Sequence, residues 1–296
     1  FVNKLWNVAR YILHTAESAP LKKTLPKPIT LADQWMLSRL SSIVESTTEA
    51  LETFHFSKAA EDLYAFTWND LADWYLEISK VQKNSSDEKL KKNTDQILLF
   101  ILNTLLRLWH PFTPFVTEEL WKQVEGFLLI TTSWPKAEKK LGNAKAEEHF
   151  EKLRSVISGI RNLRTEHKVE PAKKIKAILI SQGSEKMLKE NAAVIQFLAR
   201  LEELTIAGSG KKPDQSVSTT VSGIEVYLPL SGMVDMQKDQ DRLLKEKGKL
   251  EVYMKNLEAK LANEKFVKNA PRDIVEAERK KIEIAKEGLK KLSSQL

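Results

Sequence analysis

Residues 233–261 read MVDMQKDQDRLLKEKGKLEVYMKNLEAKL, and their spacing decides how the chain ends. Met233, Met236, Gln240, Leu243, Lys247, Leu250, Met254, Leu257 and Leu261 alternate steps of three and four, with seven of the nine apolar. A second ladder repeats the spacing at Val275, Glu278, Ile282, Ala285, Leu289, Leu292 and Leu296, with six of seven apolar. Steps of three and four put apolar side chains on one seam of a helix. The stretch between the ladders, residues 263–271, is too short for a domain and carries a helix-start signal in Asn269, Pro271 and Asp273. Two seams so closely joined predict an antiparallel coiled-coil hairpin over residues 233–296. A rod that narrow has no interior for an active site. It reaches for something large.

Working outward, the pattern upstream is different. Residues 1–148 predict a helical bundle. Thr30 with Asp33 three residues later forms a capping box ahead of the stripe Met36, Leu40, Ile43, Thr47, Leu51 and Phe54. Leu63, Phe66, Leu71, Trp74, Tyr75 and Ile78 line a second helix. Apolar residues surround Ile97–Trp109 on most sides, which makes it the central helix. It must stop near His110-Pro111, because a residue before proline is pushed out of the α region. Thr113-Pro114 then restarts a helix with proline at its first turn.

Residues 149–232 predict a small α/β module. Phe150–Leu163 is amphipathic, 174–180 alternates as a strand, and 187–201 is helical. Residues 204–207 form another strand, and 217–221 with 224–228 form a hairpin about Ser222-Gly223. The expected fold is therefore mainly α: a helical bundle, a small α/β connecting module and a coiled-coil arm.

Net charge is +7, unevenly placed: −1 over residues 1–150 and +4 over each of 151–232 and 233–296. A basic second half suggests a polyanionic partner, although lysine on a long helix also serves as a solvated face. Cysteine is absent, which excludes disulfide frameworks and thiolate metal sites and fits a reducing cytoplasm. The most apolar run, residues 97–109, is interrupted by Asn103 and Arg107 and falls short of the ~20 residues a spanning helix needs. The chain opens on Phe1 inside a helix pattern, without Met, signal region or cap, and so reads as a piece of a longer protein.

No catalytic constellation emerges, and no metal is expected. Gly208-Ser209-Gly210-Lys211 lacks the first glycine of a phosphate loop, position 205 being threonine. The five histidines have no metal-ligand spacing. Three features suit a polyanion. Asn3, Trp6, Asn7, Arg10 and Tyr11 put aromatics beside an arginine on the first helix, where a base can stack while the guanidinium meets phosphate. Ordinary bundle packing by Trp6 and Tyr11 is the alternative. Arg154, Arg161, Arg164 and Lys168 form a basic line beside an apolar stripe, suited either to a nucleic-acid backbone or to stems lying along a core edge. Lys265, Phe266, Lys268, Arg272 and Arg279 crowd the tip of the rod.

Three stretches carry a resemblance. Residues 1–11, FVNKLWNVARY, resemble the helix that opens the anticodon-binding domain of valyl-tRNA synthetases. Residues 110–121, HPFTPFVTEELW, are similar to a signature of the class I valine, leucine and isoleucine enzymes. Residues 265–271, KFVKNAP, with Val275-Glu276 and Glu278-Arg279, point to the valine enzyme, and 160–166, IRNLRTE, look like its connecting region. The resemblance implies an enzyme that activates valine with ATP and Mg, transfers it to tRNA(Val) and edits misacylated threonine. The H-I-G-H and K-M-S-K-S motifs are absent, so the chain is expected to lack the catalytic and editing domains, to need no cofactor itself, and to grip tRNA as a cytoplasmic monomer. The helical domain would hold the anticodon loop, with Arg10 and Tyr11 as the family's arginine–aromatic pair, and the arm would lean on the tRNA outer corner. Neither membrane nor DNA is an expected partner. The alternative is a structural module whose coiled coil dimerises or docks a protein, with Gln240, Lys247 and Glu278 setting register.

Overall fold

The computed structural model describes residues 2–16, 20, 24–125, 127–210, 213, 215–229, 236–262, 281, 282 and 285. The chain divides into two compact units, residues 1–229 and 230–296.

In the first unit, α1 (Val2–Thr15) is followed by α2 (Leu31–Glu52), α3 (Phe56–Ala65), a π-helical segment (Phe66–Tyr75) and α4 (Leu76–Lys83). Then come α5 (Glu88–Trp109), α6 (Pro114–Trp121) and α7 (Ala144–Glu166). The predicted central helix is α5: Ile97, Leu98, Ile101, Leu102, Leu105, Leu106 and Leu108 are all fully buried, and α1, α2, α4 and α6 pack around it. At about 1.5–3 kcal/mol per buried aliphatic side chain, this helix is the largest source of hydrophobic stabilisation in the bundle. It ends at Trp109, but not for the expected reason: His110 keeps α-helical angles (φ −56°, ψ −41°), and the ladder stops because Pro111 has no N–H to donate; α6 then begins with Pro114 at its first turn.

The capping box at Thr30 forms in full and sits at the centre of a buried polar network. Asp33 is completely buried, and its Oδ2 accepts from the backbone N–H groups of Ile29 and Thr30. Its Oδ1 accepts from Tyr75 Oη and Gln82 Nε2, both at 2.9 Å. Thr94 in turn donates to Gln82 Oε1, so α2, α4 and α5 are tied through one carboxylate. Each polar group has a partner, which is the condition for burying it.

The π-helical segment explains the irregular second stripe. The step from Phe66 to Leu71 is five residues, which an α-helix would turn to different sides. An i→i+5 pattern keeps Phe66, Leu71 and Tyr75 all inside.

Asn143 caps α7 by accepting from the Ala146 N–H at 3.0 Å. The helix runs across the 148/149 division expected from sequence. Its first half packs on α2, where the Phe150 ring stacks on Trp35 at 3.8 Å, and its second half packs on the sheet. Gly159 permits that approach, since a Cβ there would sit 3.3 Å from a Val221 methyl.

The sheet contains β1 (Ile175–Ile180), β2 (Leu201–Ala207), β3 (Ser216–Val221) and β4 (Ile224–Pro229) in the order β2-β1-β4-β3. β1 and β2 are parallel, joined by α8 (Glu185–Glu190) and α9 (Ala192–Ala199); the other pairs are antiparallel. The hairpin turns on Ser222 (φ 50°) and Gly223 (φ 75°), the pair of positive φ values that a two-residue turn needs. One expected helix is two, divided at Asn191, whose side chain donates to the Met187 carbonyl. β2 starts at Leu201, three residues earlier than expected, because Arg200 takes a left-handed φ of 54° and stops α9.

In the second unit, α10 spans Met236–Ala262. At 27 residues it is about 40 Å long. Its ladder is visible as a one-sided stripe: Lys247, Leu250, Met254 and Leu261 are half-buried and Leu257 is buried, while Glu251, Val252, Tyr253, Lys255 and Glu258 are exposed. Lys281, Ile282 and Ala285 are helical. The hairpin turn and the rest of the second ladder lie outside the described residues, as do Lys265, Phe266, Lys268, Arg272 and Arg279.

Candidate nucleic-acid interface

The first helix separates its residues cleanly. Leu5, Val8, Ala9 and Ile12 are buried against α5 and α6. Asn3, Trp6, Asn7 and Arg10 follow the i, i+3, i+4, i+7 pattern on the opposite face, and all four are exposed. Arg10 makes no ion pair among the described residues, so its fork of donors points to solvent. Packing covers Leu5 and Val8 almost completely and Trp6 in part, leaving 36% of the tryptophan exposed.

Tyr11 stands apart from those four. It is half-buried on the flank facing α4, where its hydroxyl shares a 3.1 Å hydrogen bond with Ser79 Oγ and Lys80 Nζ lies 5.8 Å from its ring. The extra hydroxyl relative to phenylalanine is thus used inside the bundle. On the same flank Lys4 Nζ pairs with Asp73 at 3.3 Å and lies 4.2 Å over the Trp68 ring, which stacks on Tyr64. The sequence placed Tyr11 among the ligand-facing residues and did not reveal these partners in the bundle, Asp73, Trp68, Ser79 and Lys80. Lys4 and Tyr11 are seven residues apart, two helical turns, which was the available signal.

The basic line on α7 divides into residues turned inward and residues left outside. Arg154 Nη2 donates to Asp70 at 2.9 Å and Nη1 to Glu151 at 2.9 Å. Its guanidinium also lies 5.5 Å from the Trp35 ring and 5.2 Å from Trp74. Arg164 is 7% exposed and spends its donors on three carbonyls, those of Arg200 (3.2 Å), Glu170 (3.2 Å) and Lys173 (2.8 Å). Burial, and then the neighbouring Arg200 charge, lower its pKa. Arg161 uses Nε on the Leu198 carbonyl and lies 5.4 Å from Trp74, yet remains exposed. Burial lowers its pKa as well, against the pull of Glu77 and Asp73. Lys168 is exposed, just past the end of α7, with φ 51°. Arg154 and Arg164 thus hold the fold together, while Arg161 and Lys168 face outward.

Among the described residues no cluster of His, Asp and Glu could hold a metal ion, and no helix is long and apolar enough to cross a membrane. The Gly208-Ser209-Gly210 turn lies against the Glu185 carboxylate, an anion where a phosphate loop needs donors.

Residues 33–179 match the model of the anticodon-binding domain of tRNA ligase, and residues 235–296 match that of the valyl tRNA synthetase tRNA binding arm. The valine–tRNA ligase of Geobacter sulfurreducens is 37% identical over 95% of this chain and 33% of its own length. That of Syntrophotalea carbinolica is 35% identical over 99% of this chain and 34% of its own length. The chain therefore spans about a third of the length of the curated relatives it matches. A crystal structure of the ternary complex of Agrobacterium radiobacter K84 agnB2 LeuRS, tRNA and LeuAMS aligns with 75% of this chain and 23% of its own, at 17% identity and a TM-score of 0.36, too low to argue from.

Proposed function

The chain belongs to the valyl-tRNA synthetase family through its anticodon-binding domain and its tRNA binding arm, and we propose that it grips tRNA(Val) at two distant places. The helical bundle holds the anticodon loop and the arm leans on the outer corner through Lys265, Phe266, Lys268, Arg272 and Arg279. Activation of valine with ATP and Mg, its transfer and the editing of threonine belong to the two thirds of the ligase that this chain does not span. The working protein is a cytoplasmic monomer.

The observation that carries this reading is the outward face of α1. Asn3, Trp6, Asn7 and Arg10 are exposed together, while the other side of the same helix is locked into the core. Trp6 offers a π-face to an unpaired base, Arg10 pairs with phosphate or a base edge, and the two asparagines supply both donors and acceptors. Tyr11 braces the helix from its flank through Ser79.

Fluorescence anisotropy with tRNA(Val) and with an anticodon-substituted tRNA(Val) tests it. Arg10→Ala should weaken binding to the native anticodon about tenfold and change the substituted tRNA little. Equal losses on both RNAs would remove α1 from anticodon recognition.

A further inference from the structure

The three carbonyls that Arg164 holds belong to two chain segments that meet at the end of α7. Glu170 and Lys173 lie in the connection to β1, and Arg200 lies in the turn between α9 and β2. Arg200 straps the same connection from outside, its Nη1 donating to the Pro171 carbonyl at 2.9 Å. The Lys173 N–H closes on the Glu170 carbonyl at 3.0 Å, and the Val169 N–H on that of Arg164 at 2.8 Å. Residues 168–174 are therefore fixed at five points, although they contain no helix or strand.

That fixed segment carries Lys168, Lys173 and Lys174 beside Arg200. Lys173 is half-buried and the other three are exposed. None of the four makes an ion pair among the described residues, as is also true of Lys92 and Lys145, whereas Lys58, Lys122 and Lys176 pair with a carboxylate; what sets the four apart is that they share one fixed segment and its strap. Glu166, Glu170 and Glu202 are exposed nearby, and none of them pairs with these cations either. Lys168 and Arg200 hold left-handed backbone conformations, φ 51° and 54°, that neither residue type favours. A strained, strapped segment with uncommitted cations is arranged to meet an external anion.

We infer that residues 168–174, together with Arg200, form a binding site for the sugar–phosphate backbone of tRNA, and that Arg164 positions this segment without touching the RNA. The site lies on the connecting module and adds a further place of contact. The inference rests on the tRNA reading above. Its chemistry is charge neutralisation with counterion release, blind to sequence. A guanidinium is suited to the positioning task because its planar fork reaches three carbonyls at once, which an ammonium on a flexible stem cannot hold in the same geometry.

The test is the salt dependence of tRNA(Val) binding by the whole chain. Lys168→Gln, Lys173→Gln and Lys174→Gln combined should weaken binding about tenfold and flatten the log K against log salt slope by about two units. A control neutralising the ion-paired Lys58, Lys122 and Lys176 removes the same net charge and should leave the slope in place. Arg164→Lys keeps the charge but loses the fork; it should flatten the slope as the triple does and raise amide exchange across 168–174. If Arg164→Lys retains the parental slope, Arg164 does not position the site. If that variant does not fold, the lysine triple alone decides. A parental slope in the triple, or an equal loss in the control, overturns the site. In the first case, weakened binding by Arg10→Ala would show that the tRNA reading survives. Failure of the parent chain to bind tRNA at all would overturn both.

Discussion

Asp70 is gripped from two sides: Arg154 Nη2 reaches its Oδ1 at 2.9 Å and Arg39 Nε reaches its Oδ2 at 3.1 Å. The carboxylate comes from the π-helical segment, Arg39 from α2 and Arg154 from α7, so one side chain joins three helices. Arg154 also lies over the Trp35 and Trp74 rings, in contact with the same aromatic cluster as Phe150.

Asp70→Ala removes the anion between the two guanidiniums and leaves Arg154 only its exposed partner Glu151. Asp70 is largely buried, while Arg39 is 40% exposed and can relax into water. The expected loss is about 2–4 kcal/mol in urea unfolding, toward the lower end of what breaking a buried pair costs. Arg39→Ala should cost much less, because Arg154 still pairs with Asp70. Equal losses would show that the Arg39 contact matters as much as the buried one.

Gly159 lies where α7 crosses β3. Gly159→Leu drives a branched side chain into Val221 and Thr219, whose methyls already stand 3.3–3.5 Å from a Cβ built there. Destabilisation of about 1–3 kcal/mol is expected, despite the better helix propensity of leucine. Restoration by the second change Val221→Ala would identify the overlap as the cause.

Tyr75 gives the chain an alkaline limit. Burial first, then the Asp33 charge and the hydrogen bond to it, hold its pKa well above the usual tyrosine value. The folded protein therefore keeps this proton at a pH where the unfolded chain releases it. Stability from this group is fully present below about pH 10 and declines as pH rises beyond it. Tyr75→Phe should lower stability near pH 7 by about 1.5–3 kcal/mol through the lost bond to a carboxylate. The same variant should show a shallower fall between pH 10 and 11, measured by chemical denaturation across that range.

Trp6 and Tyr11 should separate binding from folding. Trp6→Ala is expected to weaken tRNA(Val) binding by about 1–3 kcal/mol, the usual range for one stacked base. Only 36% of the residue is exposed, so the same variant should also lose some thermal stability, and binding is compared well below the unfolding transition. Tyr11→Phe releases only the Ser79 hydrogen bond, so it should cost about 0.5–1.5 kcal/mol of stability and leave anticodon discrimination unchanged. A change in discrimination would show that the hydroxyl reaches the RNA.

Much of the local structure was legible because its causes are local. The Thr30–Asp33 capping box, the stop before Pro111, the start at Pro114 and the Ser222-Gly223 turn each depend on residues within a few positions of one another. The α10 stripe was legible for the same reason, every third or fourth residue being enough to define its seam. The π-helical segment left a trace in the five-residue step from Phe66 to Leu71, but the α-helical reading passed over it. The break at Asn191 and the early start of β2 were not legible, since an apolar run such as Ala192–Ala199 fits one long helix equally well.

The sequence alone determined that the first half is a bundle around residues 97–109, that the second half is basic, and that Asn3, Trp6, Asn7 and Arg10 recur at helical spacing. It could not determine which of the α7 arginines are available to a ligand. Arg154, Arg161 and Arg164 look equivalent by spacing, yet what they bind lies up to 84 positions away, in Asp70 and the carbonyls of Leu198 and Arg200. Only the tertiary structure brings those acceptors to the helix. A guanidinium already paired with buried oxygens would have to break those bonds to meet a phosphate, so folding itself decides which cations remain for RNA.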